Sequence, residues 1–186
     1  GALDVGIQFP GFTLKGRVSD IHAQGAVRYR YARIRGADLL RAWIAHLALH
    51  LAAPQEVPRT TFLVGISQEK GRLPEPETLR FGPVAKPGPL LLNLLERTWT
   101  GLVMPLPLFP RSSRSYAEDV CLKGKDPQQA LRRARAIWEG NEQSRGECED
   151  LYYRLCFSAV DPLDEKFQDL SKEIFGPLLG NMERVE

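Results

Sequence analysis

The stretch from Phe12 to Tyr31 constrains this chain more than any other. From Phe12 to Val18 the even positions are Phe12, Leu14, Gly16 and Val18, and the odd ones are Thr13, Lys15 and Arg17. A period of two marks a strand with one buried face. His22–Gly25 supplies turn chemistry, with Gly25 free to take a positive φ, and Ala26–Tyr31 continues beyond it. Two antiparallel strands, Phe12–Ile21 and Ala26–Tyr31, are therefore predicted. Their register is limited, because a one-residue slip moves every side chain to the other face. A tight turn sets Ser19 opposite Arg28 and Arg17 opposite Arg30, with Val18, Val27 and Tyr29 together on the apolar face. The other face gathers Arg17, Ser19, Arg28 and Arg30, with Lys15 beside them. Asp20 points away from that group in this register.

The remaining elements follow from periodicity and punctuation. Arg33 and Arg35 lie on the exit from the second strand, and Asp38 is placed to cap a helix from Leu39 to about Leu51. Leu39, Leu40, Trp43, Ile44, Leu47 and Leu51 give that helix a broad apolar face. Thr60–Ile66 reads as a buried β-branched strand, Gln68–Arg72 as a hairpin tip, and Leu79–Phe81 as a short returning strand. Pro89 suits the first turn of a helix from about Leu90 to Met104, with Asn93, Glu96 and Arg97 on its polar side. Pro105–Pro110 is extended and semi-rigid, because its prolines exclude a helix and lack ladder donors. Ser112–Glu118 restarts a helix. Asp126–Pro127 and Asp161–Pro162 read as caps with proline at the first helical position. They open helices over Gln128–Glu139 and from Asp161 to Leu179, the latter interrupted at Gly176–Pro177. Gly140–Asp150 is a polar loop, and the aromatic Leu151–Phe157 is expected to be buried, as strand or helix.

The chain has 186 residues and a formal charge of +2, which fits one globular domain with an ordinary surface. Charge is uneven along it. Residues 1–50 hold seven basic side chains (Lys15 and Arg17, 28, 30, 33, 35 and 41) against Asp4, Asp20 and Asp38. From Glu139 onward acids dominate, so two different surroundings are expected for the two regions. Cys121, Cys148 and Cys156 form no paired framework, which suits a reducing cytoplasm. The chain contains neither a signal peptide nor an apolar run of membrane length, and it begins without Met, as an excised domain would.

The hairpin resembles the core of the PD-(D/E)xK nucleases with its chemistry altered. Gly16–Ser19 is similar to that family's Gly-x-x-Asp, with Ser19 in the place of the acid. Val27–Arg30 is similar to its acid-x-Lys triplet, with Arg28 and Arg30 replacing acid and lysine. The resemblance implies an α/β (α+β) fold, a mixed sheet flanked by helices, with a degenerate catalytic site and no metal cofactor. Arginines at those positions repel a divalent cation, which needs oxygen ligands. Where active relatives carry Gln-x-x-x-Tyr on the following helix, this chain has His46 and His50.

Four ordered stretches extend the likeness: Val27–Arg30, Asp38–Trp43 with His46–Leu47, Pro105–Leu108, and Phe167–Leu179. Together they resemble the carboxy-terminal domain of the RecC (gamma) subunits of bacterial exodeoxyribonuclease V. That resemblance implies a cytoplasmic, non-catalytic, nuclease-like domain in a DNA repair and recombination machine. Its partners would be DNA and the helicase and nuclease subunits, beta and alpha. The implied DNA-contacting candidates are Arg17, Arg28, Arg30, Arg33 and Arg35.

Three rival readings stand beside this one. An active nuclease would have to use Asp4, Asp20 and Asp38, with Asp20 facing the arginines, which would expose Val18 and its partners. A purely structural module would tie the arginines to acids such as Glu173. A zinc module would use His46, His50 and a cysteine, but no third ligand has compact spacing; the plainer reading is two helix-face histidines.

Overall fold

A computed structural model describes residues 1–67 and 73–185. In chain order the elements are β1 (Leu3–Phe9), β2 (Phe12–Val18), β3 (Ile21–His22), β4 (Gly25–Tyr29), α1 (Gly36–Ala52), β5 (Thr61–Ser67) and β6 (Glu75–Phe81). There follow α2 (Pro87–Val103), α3 (Pro110–Ala117), a π-helical turn (Glu118–Leu122), α4 (Pro127–Glu139), β7 (Gly140–Asn141) and β8 (Ser144–Arg145). A 3-10 turn (Glu147–Glu149), α5 (Leu151–Phe157), α6 (Glu165–Gly180) and β9 (Met182–Val185) complete the chain. The expected hairpin tip at Gln68–Arg72 lies outside the described residues.

The chain divides into two compact units: Gly1–Arg97 with the segment from Asn181 onward, and Thr98–Gly180. The first is a mixed α/β unit. Its five-stranded sheet has the order β3-β4-β5-β6-β9, with β4 and β5 parallel and the other pairs antiparallel. Helix α1 lies on one face of this sheet, and its buried Leu39, Trp43 and Leu47 form the core with Leu63, Leu79 and Phe81. The Trp43 and Phe81 rings are 5.5 Å apart. Ile44 and Leu51, expected on the buried stripe, are exposed. The returning strand β6 is longer than Leu79–Phe81 and pairs with β5 along its full length. Strand β9, which completes the sheet edge, was not anticipated.

The predicted pairing of Phe12–Ile21 with Ala26–Tyr31 is corrected. β2 pairs with β1 in a separate two-stranded sheet, where Arg17 faces Asp4 and Val18 faces Leu3. Pro10 and Gly11 make the turn, Gly11 at φ 78°, in the chemistry of proline first and glycine second. The signal was present: Leu3, Val5, Ile7 and Phe9 alternate with Asp4, Gly6 and Gln8. Asp20, at φ 59°, then breaks the extended backbone, a conformation that aspartate tolerates better than most residues. The second hairpin is therefore reduced to two pairs, Ile21 with Ala26 and His22 with Gly25. Those pairs hold the expected register, and Val27 N still donates to Asp20 O at 2.9 Å.

The second unit is mainly helical. Phe109, in the extended link before α3, sits at the centre of a cluster of Tyr116, Ala130, Ala134, Trp138, Leu163 and Phe167. Its ring lies 4.2 Å from Trp138. Asp126 caps α4 as expected, accepting from Gln128 N and Gln129 N. The cap of α6 is Asp164, not Asp161: Phe167 N donates to its carboxylate. Asp161 instead takes Arg135 and Leu163 N. Pro177 lies inside α6, which continues to Gly180, so the expected interruption is absent. Leu151–Phe157 is helical but not buried; only Tyr153 and Phe157 reach the core cluster. The polar loop after α4 hides one acid, Glu147, whose carboxylate receives Arg111 N, Ser112 N and Ser112 Oγ at 2.8, 2.7 and 2.6 Å. It thus satisfies the free donors at the start of α3 and complements the helix dipole there.

Candidate functional site

Arg28 and Arg30 alternate with Val27 and Tyr29 along β4, so they share one face of the sheet. Arg28 is the register partner of Leu63, and Leu63 is buried beneath α1. The arginine face is thus the helix-covered face, the reverse of the expectation that Val27 and Tyr29 turn inward. Tyr29 is 81% exposed. The two arginines enter a cleft of about 370 Å³ lined also by Tyr29, Asp38, Arg41, Ala42, Ala45 and Leu63.

The start of α1 organises this cleft. The helix begins at Gly36, three residues earlier than expected, which makes Asp38 a first-turn residue and not the cap. Its carboxylate accepts Arg35 N at 2.9 Å. It also accepts Arg30 Nη1 on both oxygens, at 2.9 and 3.0 Å, and Arg41 lies 3.8 Å away. Arg30 Nε is buried and finds no partner among the described residues. Arg30 is therefore held from one end, by an acid eight positions along the chain.

Arg28 is held more loosely. Its Nη1 donates to Ser19 Oγ at 3.3 Å, so the expected neighbourhood of Ser19 and Arg28 is realised. Asp20 departs from expectation: Ser19 Oγ donates to its carboxylate at 2.8 Å, and Arg28 Nη1 is 3.9 Å from it. The left-handed backbone at Asp20 turns the carboxylate toward Arg28 while Val18 stays buried. The assumption that only an exposed Val18 could bring Asp20 round fails, because it presupposed a regular strand. Arg17 does not join the group; it pairs with Asp4 at 3.6 Å in the β1–β2 hairpin. Arg33 and Arg35 are exposed on the link between β4 and α1.

Sequence reasoning missed the aromatic part of this surface. Tyr31 is 95% exposed, and with Tyr29 it stands among Arg28, Arg33 and Arg35 in sequence. Guanidinium groups match phosphate oxygens, and exposed aromatic faces stack on unpaired bases. The alternation of Tyr and Arg from Arg28 to Tyr31 was the available signal.

His46 and His50 have a structural setting. His46 is buried, with Nδ1 at 2.9 Å from Thr61 Oγ1 and Nε2 at 2.9 Å from Gly82 O. Burial, with the adjacent His50 adding to it and the Gly82 carbonyl opposing, lowers its pKa to about 4. Both ring nitrogens are thus engaged, and among the described residues no group of three or more His, Cys, Asp or Glu could hold a metal ion. The three cysteines are free. Two of the three arginines of α4 are committed within their own unit, Arg133 to Asp119 at 2.9 Å and Arg135 to Asp161 at 2.6 Å, while Arg132 is exposed.

No helix among the described residues is long and apolar enough to cross a membrane. The family model described as the RecC C-terminal domain matches residues 1–121. That span contains every residue of the arginine cleft, while the Phe167–Leu179 stretch lies beyond it. No curated protein matches the chain.

Proposed function

This chain belongs to the RecC C-terminal domain family, and on that premise we propose that it is a non-catalytic, nuclease-like module that contacts and guides DNA. RecC is part of the multi-subunit RecBCD complex, exodeoxyribonuclease V, of DNA repair and recombination. Within it the module scaffolds the helicase and nuclease subunits, beta and alpha, in the cytoplasm. The observation carrying this reading is the meeting of Arg28 and Arg30 in one cleft, with Ser19 bonded to Arg28. By the sequence resemblance, these three residues stand where a PD-(D/E)xK nuclease holds its acids and lysine. A parallel β4–β5 pair beneath α1, in a mixed sheet, supports the nuclease-like assignment.

Phosphate contacts fall to Arg28, Arg33 and Arg35, with Arg17 extending the basic surface along the neighbouring hairpin. Such contacts position nucleic acid without reading its sequence. Arg30 has a second reading, favoured by its paired bonds to Asp38: it braces the start of α1, and its phosphate contact is secondary.

The test is binding of labelled single-stranded and duplex DNA across a salt series, with melting measured on the same samples. Each phosphate-contacting arginine replaced by alanine lowers the slope of log affinity against log salt by about 0.7–0.9. Loss of stability in Arg28→Ala, Arg33→Ala and Arg35→Ala with unchanged slopes would overturn the DNA reading. The purely structural module would then stand.

A further inference from the structure

Helix α5 is poorly accounted for by its own unit. Tyr153 and Phe157, four residues apart, turn inward and meet the Phe109 ring at 5.0 and 5.4 Å. The opposite side carries Leu151, Tyr152 and Leu155, which are 75%, 79% and 81% exposed. Val160 is exposed just after the helix. Two leucines one turn apart, with a tyrosine beside them, form one contiguous apolar stripe. Tyrosine flanked by apolar side chains is also the composition of an interface centre.

The charges around the stripe indicate what covers it. The chain leading into α5 exposes Glu139, Glu142, Glu149 and Asp150 against Arg145. Arg145 is already bonded to Glu149 at 2.9 Å. Beyond the helix, Asp161 is neutralised by Arg135, and Arg154 is the single basic residue on α5 itself. Glu139 shares Arg135 with Asp161, so Glu142 and the capping Asp150 are set against Arg154 alone, and the apolar stripe has a mildly acidic rim. Such a surface repels phosphate and repels a second copy of itself, but it complements a segment with apolar anchors and basic flanks.

We propose that the outer face of α5 docks a basic, amphipathic segment of another protein subunit of the complex. The proposal rests on membership of a multi-subunit complex and not on the DNA contacts of the arginine cleft, so either can fail without the other. It also explains why an aromatic segment that would ordinarily be buried stands at the surface.

The experiment uses the assembled complex carrying a photocrosslinking benzoylphenylalanine at Tyr152. Irradiation is expected to join Tyr152 to a Lys/Arg-rich segment of a different subunit, identified by mass spectrometry. Leu151→Asp/Leu155→Asp is expected to weaken subunit retention about tenfold or more, as loss of two central apolar anchors does. The Tyr152 substitution is conservative and stays informative even if the double aspartate variant fails to fold. Crosslinks confined to DNA, to a second copy, to the same chain, or absent altogether would overturn the proposal. So would normal retention of the folded double variant.

Discussion

Replacing Arg30 and Arg28 separately by alanine distinguishes bracing from binding in the arginine cleft. Arg30 Nη1 reaches both oxygens of Asp38 at 2.9 and 3.0 Å, and the Asp38 side chain is only 10% exposed. A hydrogen bond to a charged group contributes about 1.5–3 kcal/mol net. Both bonds come from a single nitrogen, so they count as one shared donor. Arg30 is itself 31% exposed, which places the loss in the lower part of that range. Arg30→Ala is therefore expected to destabilise the first unit by about 2 kcal/mol, much of it from a carboxylate left short of partners. Arg28 offers a 3.3 Å bond to half-buried Ser19 and a 3.9 Å approach to exposed Asp20. Its truncation is expected to cost less than about 1 kcal/mol while lowering the salt slope of DNA binding. Urea unfolding followed by fluorescence, with buried Trp43 as the reporter of this unit, measures the first quantity. A cycle with Asp38→Ala then isolates the pair, with an expected coupling of about 1–2 kcal/mol. Equal stability losses at Arg28 and Arg30, or no coupling between Arg30 and Asp38, would refute the reasoning.

Glu147→Ala strips three donors at the start of α3 of their acceptor and is expected to cost about 3 kcal/mol in denaturant unfolding; Glu147→Gln, which keeps one acceptor oxygen, loses less. His46 has a folded pKa of about 4 against 6.5 unfolded, so above pH 6.5 it leaves stability unchanged. As pH falls from 6.5 toward 4 the unfolded chain takes up a proton that the fold refuses, and roughly 3 kcal/mol is lost. Unfolding at stepped pH, with an NMR titration of the ring, checks this; a midpoint near 6.5 would count against it. Incubation of the domain with linear and single-stranded DNA is expected to yield no magnesium- or manganese-dependent cleavage, and chelator-sensitive degradation that survives purification would contradict the non-catalytic reading.

Much of the local structure was legible because its causes lie within a turn of each residue. The Phe12–Val18 alternation, the Asp126–Pro127 cap and the Leu39, Trp43 and Leu47 face of α1 all depend on short-range spacing, and all appear in the structure. The resemblance to RecC was also legible in Val27–Arg30, Asp38–Leu47 and Pro105–Leu108, which lie within the matched residues 1–121, since it needs only residue order. Strand partners were not. Phe12–Val18 had two candidate neighbours of suitable pattern, and the Pro10–Gly11 turn joined it to the nearer one, which separated Arg17 from Arg30. Alternation likewise divides β4 into two faces without saying which one α1 covers; the parallel pairing with β5 decides that, and it turns the arginines toward Asp38. The same limit hid the bonds of Glu147 to Ser112, 35 residues away, and the outward turn of α5. Periodicity and capping are encoded in neighbouring residues, whereas the choice among competing long-range contacts is made only when the whole chain minimises its unsatisfied polar groups and exposed apolar surface.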